Sequence, residues 1–192
     1  MSRLAFGIVH RPKPGSPISG DAYLIKETEA AALLCLVDGL GSGEGAAAVA
    51  WAAIRCVEAN STLLLRDILS RCHQALRGTR GVVMALLRLS FDQKVVAFTG
   101  VGNIGIHVRS TAPIKPISGN GIVGYRLPRL QEFTYPYIPG DLFVLHTDGI
   151  SSHFTLNDAL ELEGTQDVQA MAEAIARRFG KENDDITVLV AR

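Results

Sequence analysis

An unbroken apolar run from Ala30 to Val37 stops at Asp38-Gly39, and the glycine-rich turn Gly39-Leu40-Gly41-Ser42-Gly43 leads from it into an alanine-rich stretch, Glu44 to Asn60. An apolar run without alternation is the pattern of a strand buried on both faces. The alanine-rich stretch has high helix propensity and no breaker after Gly45, which predicts a largely buried helix whose N-terminus points back at the glycine turn.

A second helix is predicted from about Leu63 to Arg77, where Leu65, Ile68, Leu69, Cys72 and Leu76 recur at helical spacing. Ser61 or Thr62 would cap its start, and Gly78 lies just past its end. Val82 to Ser90, Val95 to Val101 and Ile104 to Arg109 are predicted strands, separated by Phe91-Asp92-Gln93-Lys94 and by Gly102-Asn103. Such spacing suggests an antiparallel meander rather than a parallel sheet. Between Thr111 and Gly140, Pro113, Pro116, Pro128, Pro136 and Pro139 combine with Gly119, Gly121 and Gly124. That segment is expected to be mostly surface loop bordering a site, with one strand near Leu130 to Thr134. Pro139-Gly140-Asp141 then turns into a buried strand, Leu142 to Thr147, ending at Asp148-Gly149. The closing helix, about Gln166 to Phe179, has Gly180 as its C-cap, and the final strand, Ile186 to Val190, follows Asp184-Asp185. No repeat, low-complexity stretch or linker divides the chain, so one domain over residues 1–192 is expected.

Charge narrows the function. Nineteen Lys and Arg stand against 19 Asp and Glu, so the chain lacks the basic excess by which phosphate backbones are bound, and nucleic acid is not an expected partner. The longest apolar run, Ala46 to Ile54, is far short of the roughly 20 residues that cross a bilayer. No extended apolar stretch precedes His10-Arg11-Pro12-Lys13-Pro14, so no signal peptide is expected and the expected compartment is the cytoplasm. Cys35, Cys56 and Cys72 are odd in number and form no C-x-x-C pair, which argues against a disulfide framework or a cysteine zinc site. They are expected to serve as small buried apolar residues.

Asp38, Asp148 and Asp184 share one placement, each at an end of a strongly apolar strand, and Asp21, in Ser19-Gly20-Asp21-Ala22-Tyr23, can be a fourth of the kind. Neighbouring strand ends bring residues distant in sequence to one rim. Carboxylates gathered there repel one another and raise each other's pKa unless a cation is present. Magnesium and manganese prefer carboxylate, carbonyl and water oxygens, and two such ions can activate a water while clamping a phosphoryl group. A glycine after the aspartate, as at Gly39, can turn its carbonyl toward an ion without a Cβ clash. An Asp-Gly pair taken alone is an ordinary turn signal.

The order and context of the whole set resemble the metal-dependent protein serine/threonine phosphatases of type 2C. Ser19-Gly20-Asp21-Ala22-Tyr23 is similar to the first acidic motif of the bacterial SpoIIE-type branch, and Val37-Asp38-Gly39-Leu40-Gly41-Ser42-Gly43 to its second. Pro139-Gly140-Asp141, the strand after it and His146-Thr147-Asp148-Gly149-Ile150 form the most specific match. Asn183-Asp184-Asp185-Ile186-Thr187 resembles the closing Asp-Asp-x-Thr strand. Within the branch the chain most resembles the RsbX-like phosphatases, which are compact, carry no attached sensor domain and act on phosphorylated stressosome scaffold (STAS-domain) proteins. Val101-Gly102-Asn103-Ile104 fits that subgroup, with Asn where larger relatives have Asp.

The resemblance implies a four-layer αββα sandwich, an α+β fold of two antiparallel sheets flanked by helices. It implies two manganese or magnesium ions. Asp38 would bridge them, with Gly39 offering its carbonyl to one ion and Asp21 serving that same ion directly or through water. Asp148 and Asp184 would hold the other, with the adjacent Asp185 either behind Asp184 or the direct ligand in its place. A water between the metals would attack phosphorus in line, with no side-chain nucleophile, so Asp38 and Asp148 would be the catalytic carboxylates. The chain departs from the eukaryotic pattern at Leu40, where those relatives have a histidine, and offers no clear match for a phosphate-binding arginine. His146 is expected to be a core histidine, His153 has no motif support, and Arg11 and Lys13 lie in what looks like a solvated loop. Two rivals remain at this level. One is a non-catalytic module of the same fold. The other is a dinucleotide-binding unit opened by Gly41-Ser42-Gly43-Glu44-Gly45-Ala46, a G-x-G-x-x-A match that requires a strand after its helix.

Overall fold

The computed structural model describes residues 4–157 and 167–192. Its elements are β1 (Phe6–Arg11), β2 (Asp21–Glu27), β3 (Ala31–Gly39), α1 (Gly43–Ala59), α2 (Leu65–Ala75), β4 (Val82–Ser90), β5 (Val95–Val101), β6 (Gly105–Arg109), β7 (Phe133–Pro136), β8 (Leu142–His146), α3 (Val168–Phe179) and β9 (Ile186–Ala191). One sheet has the order β1-β9-β8-β6, the other β2-β3-β4-β5-β7. Every ladder in both is antiparallel.

Side-chain alternation explains the layers. On β3, Leu33, Cys35 and Val37 pack with Ala50, Ala53 and Ile54 of α1 and Ile68 and Leu69 of α2. Leu34 and Leu36 point the other way and meet Phe143 and Leu145 of β8 and Leu189 of β9. Val144 of β8 and Val188 and Val190 of β9 face outward onto Met171, Ala172 and Ile175 of α3. Three apolar interfaces therefore separate four layers: α1 and α2, the five-stranded sheet, the four-stranded sheet, and α3. The expected αββα sandwich is the fold observed.

Several local expectations need correction. The meander covers only β4 and β5, because β6 leaves that sheet and pairs with β8 in the other one. The strand expected near Leu130 to Thr134 lies at Phe133–Pro136 on the sheet edge, where Pro136 costs no interior ladder bond. Helix α2 starts at Leu65 with Leu64 at the N-cap and no side-chain cap bond, so neither Ser61 nor Thr62 caps it. Cys35 and Cys72 are buried as expected, but Cys56 is only half-buried. Helix α3 is capped by Asp167, whose carboxylate accepts from the Gln169 amide at 2.9 Å; Gln166, expected as its start, lies outside the described residues. No helix among the described residues is long and apolar enough to cross a membrane. The dinucleotide reading fails on topology: α1 is followed by α2, and β3 is antiparallel to both its neighbours.

Candidate active site

The same alternation that builds the inter-sheet core delivers the polar residues to its end. On β3 the face carrying Leu34 and Leu36 continues to Asp38. On β2 the face of Ile25 and Tyr23, which packs against the inter-sheet core, continues to Asp21, the cross-strand partner of Asp38. On β9 Leu189 is followed on its face by Thr187, and Thr147 lies two residues beyond Leu145 at the end of β8. The core between the sheets thus terminates at one rim in two carboxylates and two hydroxyls.

These groups tie the sheets together. Thr147 Oγ1 and Thr187 Oγ1 both donate to Asp21 Oδ2 at 2.8 Å, and Asp21 is only 2% exposed. His10, opposite Thr187 in the β1–β9 ladder, places its Nδ1 2.9 Å from Thr187 Oγ1. Burial is the main cause that pushes Asp21 up to about 7; the two threonine hydrogen bonds pull it down, and Asp185 and Asp148 push it further up. Burial also raises Asp38, to about 8, with Asp21, Asp148, Asp184 and Asp185 adding repulsion. Carboxylates disfavoured in their charged form by burial and by one another are what a bound cation relieves.

Asp38, Asp148 and Asp184 line one cavity of about 590 Å3, together with Leu40, Gly41, Asn103, Ser118 and Asn120 among others. Asn103 Nδ2 donates to Asp148 Oδ2 at 3.0 Å. The neighbouring aspartates at the start of β9 are divided. Asp185 accepts from the Lys13 amide through Oδ1 and the Gly20 amide through Oδ2, both at 2.8 Å, so its oxygens fasten the N-terminal segment. Asp184 faces the cavity, with Lys181 Nζ 4.0 Å from its Oδ2. Two glycines next to aspartates are required by close packing: a Cβ at Gly39 would run into the Ala46 carbonyl of α1, and one at Gly149 into the Asp185 carbonyl. Helix α1 and the β9 entry therefore sit hard against the backbone beside Asp38 and Asp148.

The structure brings Asp21, Asp38, Gly39, Asp148 and Asp184 to this one rim. His146 is turned away: it is buried, its Nδ1 lies 2.8 Å from the Thr147 carbonyl and its Nε2 3.1 Å from His107 Nε2, as a core histidine should be. His153 is exposed and does not line the cavity. The loop expected to border a site does so through Ser118, Asn120, Gly121 and Ile122, held by the Val82–Val123 bridge and the Gly119 pairing with Gly100 and Gly102. Sequence reasoning missed Thr147 and Thr187 as partners of Asp21, His10 behind them, and Arg80, whose Nη1 reaches the Leu40 carbonyl at 3.3 Å. The signal for the threonines was present in the period-2 pattern, since each continues a core face; Arg80 carries no pattern at all.

The donor set suits hard divalent ions. Among the described residues no three His, Cys, Asp or Glu side chains form a cage around one ion. Magnesium-like ions do not need one, because they keep several waters and take one or two carboxylates with carbonyl oxygens. Asp38, Asp148 and Asp184 on one open cavity, beside the backbone of Gly39, provide that kind of partial shell.

Residues 28–192 match the family described as Stage II sporulation protein E (SpoIIE). The phosphoserine phosphatase RsbX of Bacillus subtilis (strain 168) is 26% identical over 182 residues, covering 94% of this chain and 90% of RsbX. A chain from the structure named "The bacterial stressosome: a modular system that has been adapted to control secondary messenger signaling" superposes with a TM-score of 0.92 at 35% identity, over 100% of both chains. RsbX crystallised with magnesium superposes with a TM-score of 0.87 at 24% identity, over 98% of this chain and 94% of that one, and supports the fold. With most of its length matched, the chain belongs to the SpoIIE family, in the RsbX-like branch of the type 2C (PPM) protein phosphatases, which are hydrolases.

Proposed function

We propose that residues 1–192 act as one domain, a manganese- or magnesium-dependent phosphatase that removes phosphate from serine or threonine of phosphorylated STAS-domain stressosome proteins. The observation that carries this reading is the convergence of Asp38, Asp148 and Asp184 on one cavity, with Asp21 bound behind it by two threonines. In this reading Asp38, Asp148 and Asp184, with Asp21 and the Gly39 carbonyl, would hold two divalent ions. Bound ions would supply the positive charge that offsets the carboxylates and would lower the pKa of a coordinated water.

The chain's own groups set the geometry. Thr147 and Thr187 hold the Asp21 carboxylate in one orientation, and Asn103 does the same for Asp148. Asp185 spends its oxygens on amides and stays structural. In this reading water attacks phosphorus directly, giving the free hydroxyl and inorganic phosphate. The likeness to RsbX and to a chain of a stressosome structure supports the choice of substrate. The test is a comparison of phosphate release, in manganese, from a phosphorylated STAS-domain scaffold protein and from unrelated phosphoserine peptides. Faster release from the scaffold protein is expected, and equal rates would reduce the reading to a generic phosphatase.

A further inference from the structure

Arg80 lies between α2 and β4 and is exposed, yet it is held against the turn that follows Asp38. Leu40 is gripped at both ends of its peptide by consecutive residues: its N–H donates to the Gly81 carbonyl at 3.1 Å, and its carbonyl accepts from Arg80 Nη1 at 3.3 Å. The guanidinium fills a notch made by two missing side chains. A Cβ at Gly41 would come 2.7 Å from Arg80 Nη1, and a Cβ at Gly45 2.5 Å from Nη2. Leu40 and Gly41 line the cavity on their other side, so a fixed cation stands immediately outside the acidic pocket.

Only one of the five guanidinium donors is used among the described residues, and no described carboxylate pairs with it. A planar fork with free donors matches a carboxylate or phosphate bidentately. A cation gripping the reacting phosphoryl group would have to line the cavity, and Arg80 does not. Its position instead suits whatever flanks the phosphorylated residue as the substrate chain passes over the rim. We propose that Arg80 is a specificity-determining residue that binds an acidic side chain next to the phosphorylated serine or threonine. This inference rests on the phosphatase reading and deepens it.

The test uses the full chain in manganese and two phosphoserine peptides, one flanked by Asp and Glu, the other by Ala at the same positions. The unaltered protein is expected to favour the acidic peptide in kcat/KM by about fivefold, the scale of one exposed ion pair. Arg80→Ala should bring that ratio to about one, and Arg80→Glu should invert it in favour of a Lys-flanked peptide. Gly45→Ala displaces the guanidinium without changing charge, and it too should lower the ratio, while its helix propensity favours folding. A ratio of one in the unaltered protein overturns the assignment. So does a ratio that Arg80→Ala leaves unchanged, or one lost instead in Arg126→Ala on the adjoining loop. A phosphorylated STAS-domain protein assayed alongside separates the two readings: no manganese-dependent release from it removes the phosphatase reading, whereas release from it but from neither peptide overturns the Arg80 role alone.

Discussion

Asp21 and Asp38 are direct cross-strand partners in the β2–β3 ladder, two carboxylates on one face of the sheet that looks into the space between the sheets. Partners on one face stand roughly 5 Å apart, where like charges are destabilising. The arrangement is a liability in the protein alone and an asset once cations are bound.

That liability gives a pH dependence. Both groups titrate higher in the folded protein, at about 7 and about 8, than the ordinary aspartate range. Between that range and the folded values the native state holds protons that the unfolded chain has released, so stability without metal falls as pH rises. Thermal melts in chelator should show Tm decreasing from pH 5 to pH 8. Manganese should raise Tm at pH 8 far more than at pH 5, because ions compete with protons for the same oxygens.

Thr187 and Thr147 lower the cost of the Asp21 charge. Thr187→Val keeps the shape and removes one of two donors to a buried carboxylate, which should cost about 1 to 3 kcal/mol by urea denaturation. The loss should be larger at pH 8, where Asp21 is mostly ionised, than at pH 5, where it is mostly protonated. A loss independent of pH would mean that the hydroxyl matters for packing and not for the charge.

Gly39 and Gly149 leave no room for a methyl group against rigid backbone. Gly39→Ala and Gly149→Ala should each destabilise by about 1 to 3 kcal/mol through overpacking. They should also weaken manganese binding in calorimetry, since relief requires moving the chain beside Asp38 or Asp148.

Asn103 orients Asp148. Removing such an outer hydrogen bond typically costs about tenfold or more in metal affinity or activity, so Asn103→Ala should raise the manganese concentration giving half-maximal phosphate release by about that factor. Asn103→Asp loses the donated bond and adds a charge beside Asp148, and it should shift the metal dependence without restoring the original value.

The long strands and the acidic motifs were legible because each is written locally. β3, β4, β8 and β9 are apolar runs, and the aspartates lie at their ends in a recognisable order. What escaped is set by tertiary contacts. Gly102-Asn103 reads as a hairpin turn, yet β6 crosses to the other sheet and seats Gly105 against His146; hydrophobic period shows that a strand exists and not which sheet receives it. β1 is half-exposed and carries His10 and Arg11, so it offers no apolar run to read. The partnership of Thr147 and Thr187 with Asp21 joins positions 126 and 166 residues apart, and it exists only once two sheets are stacked.

In the proposed reaction Asp38 and its neighbours support phosphoserine hydrolysis only when divalent ions are bound. The most direct measurement is inorganic phosphate release from a phosphorylated STAS-domain protein, followed on one sample through manganese, then excess chelator, then manganese again, beside Asp38→Asn. Release should stop with chelator and resume with metal, and the variant should be slower by about a thousandfold or more, as expected when a group central to transition-state stabilisation is lost. Undiminished release in chelator, or by Asp38→Asn, would contradict it.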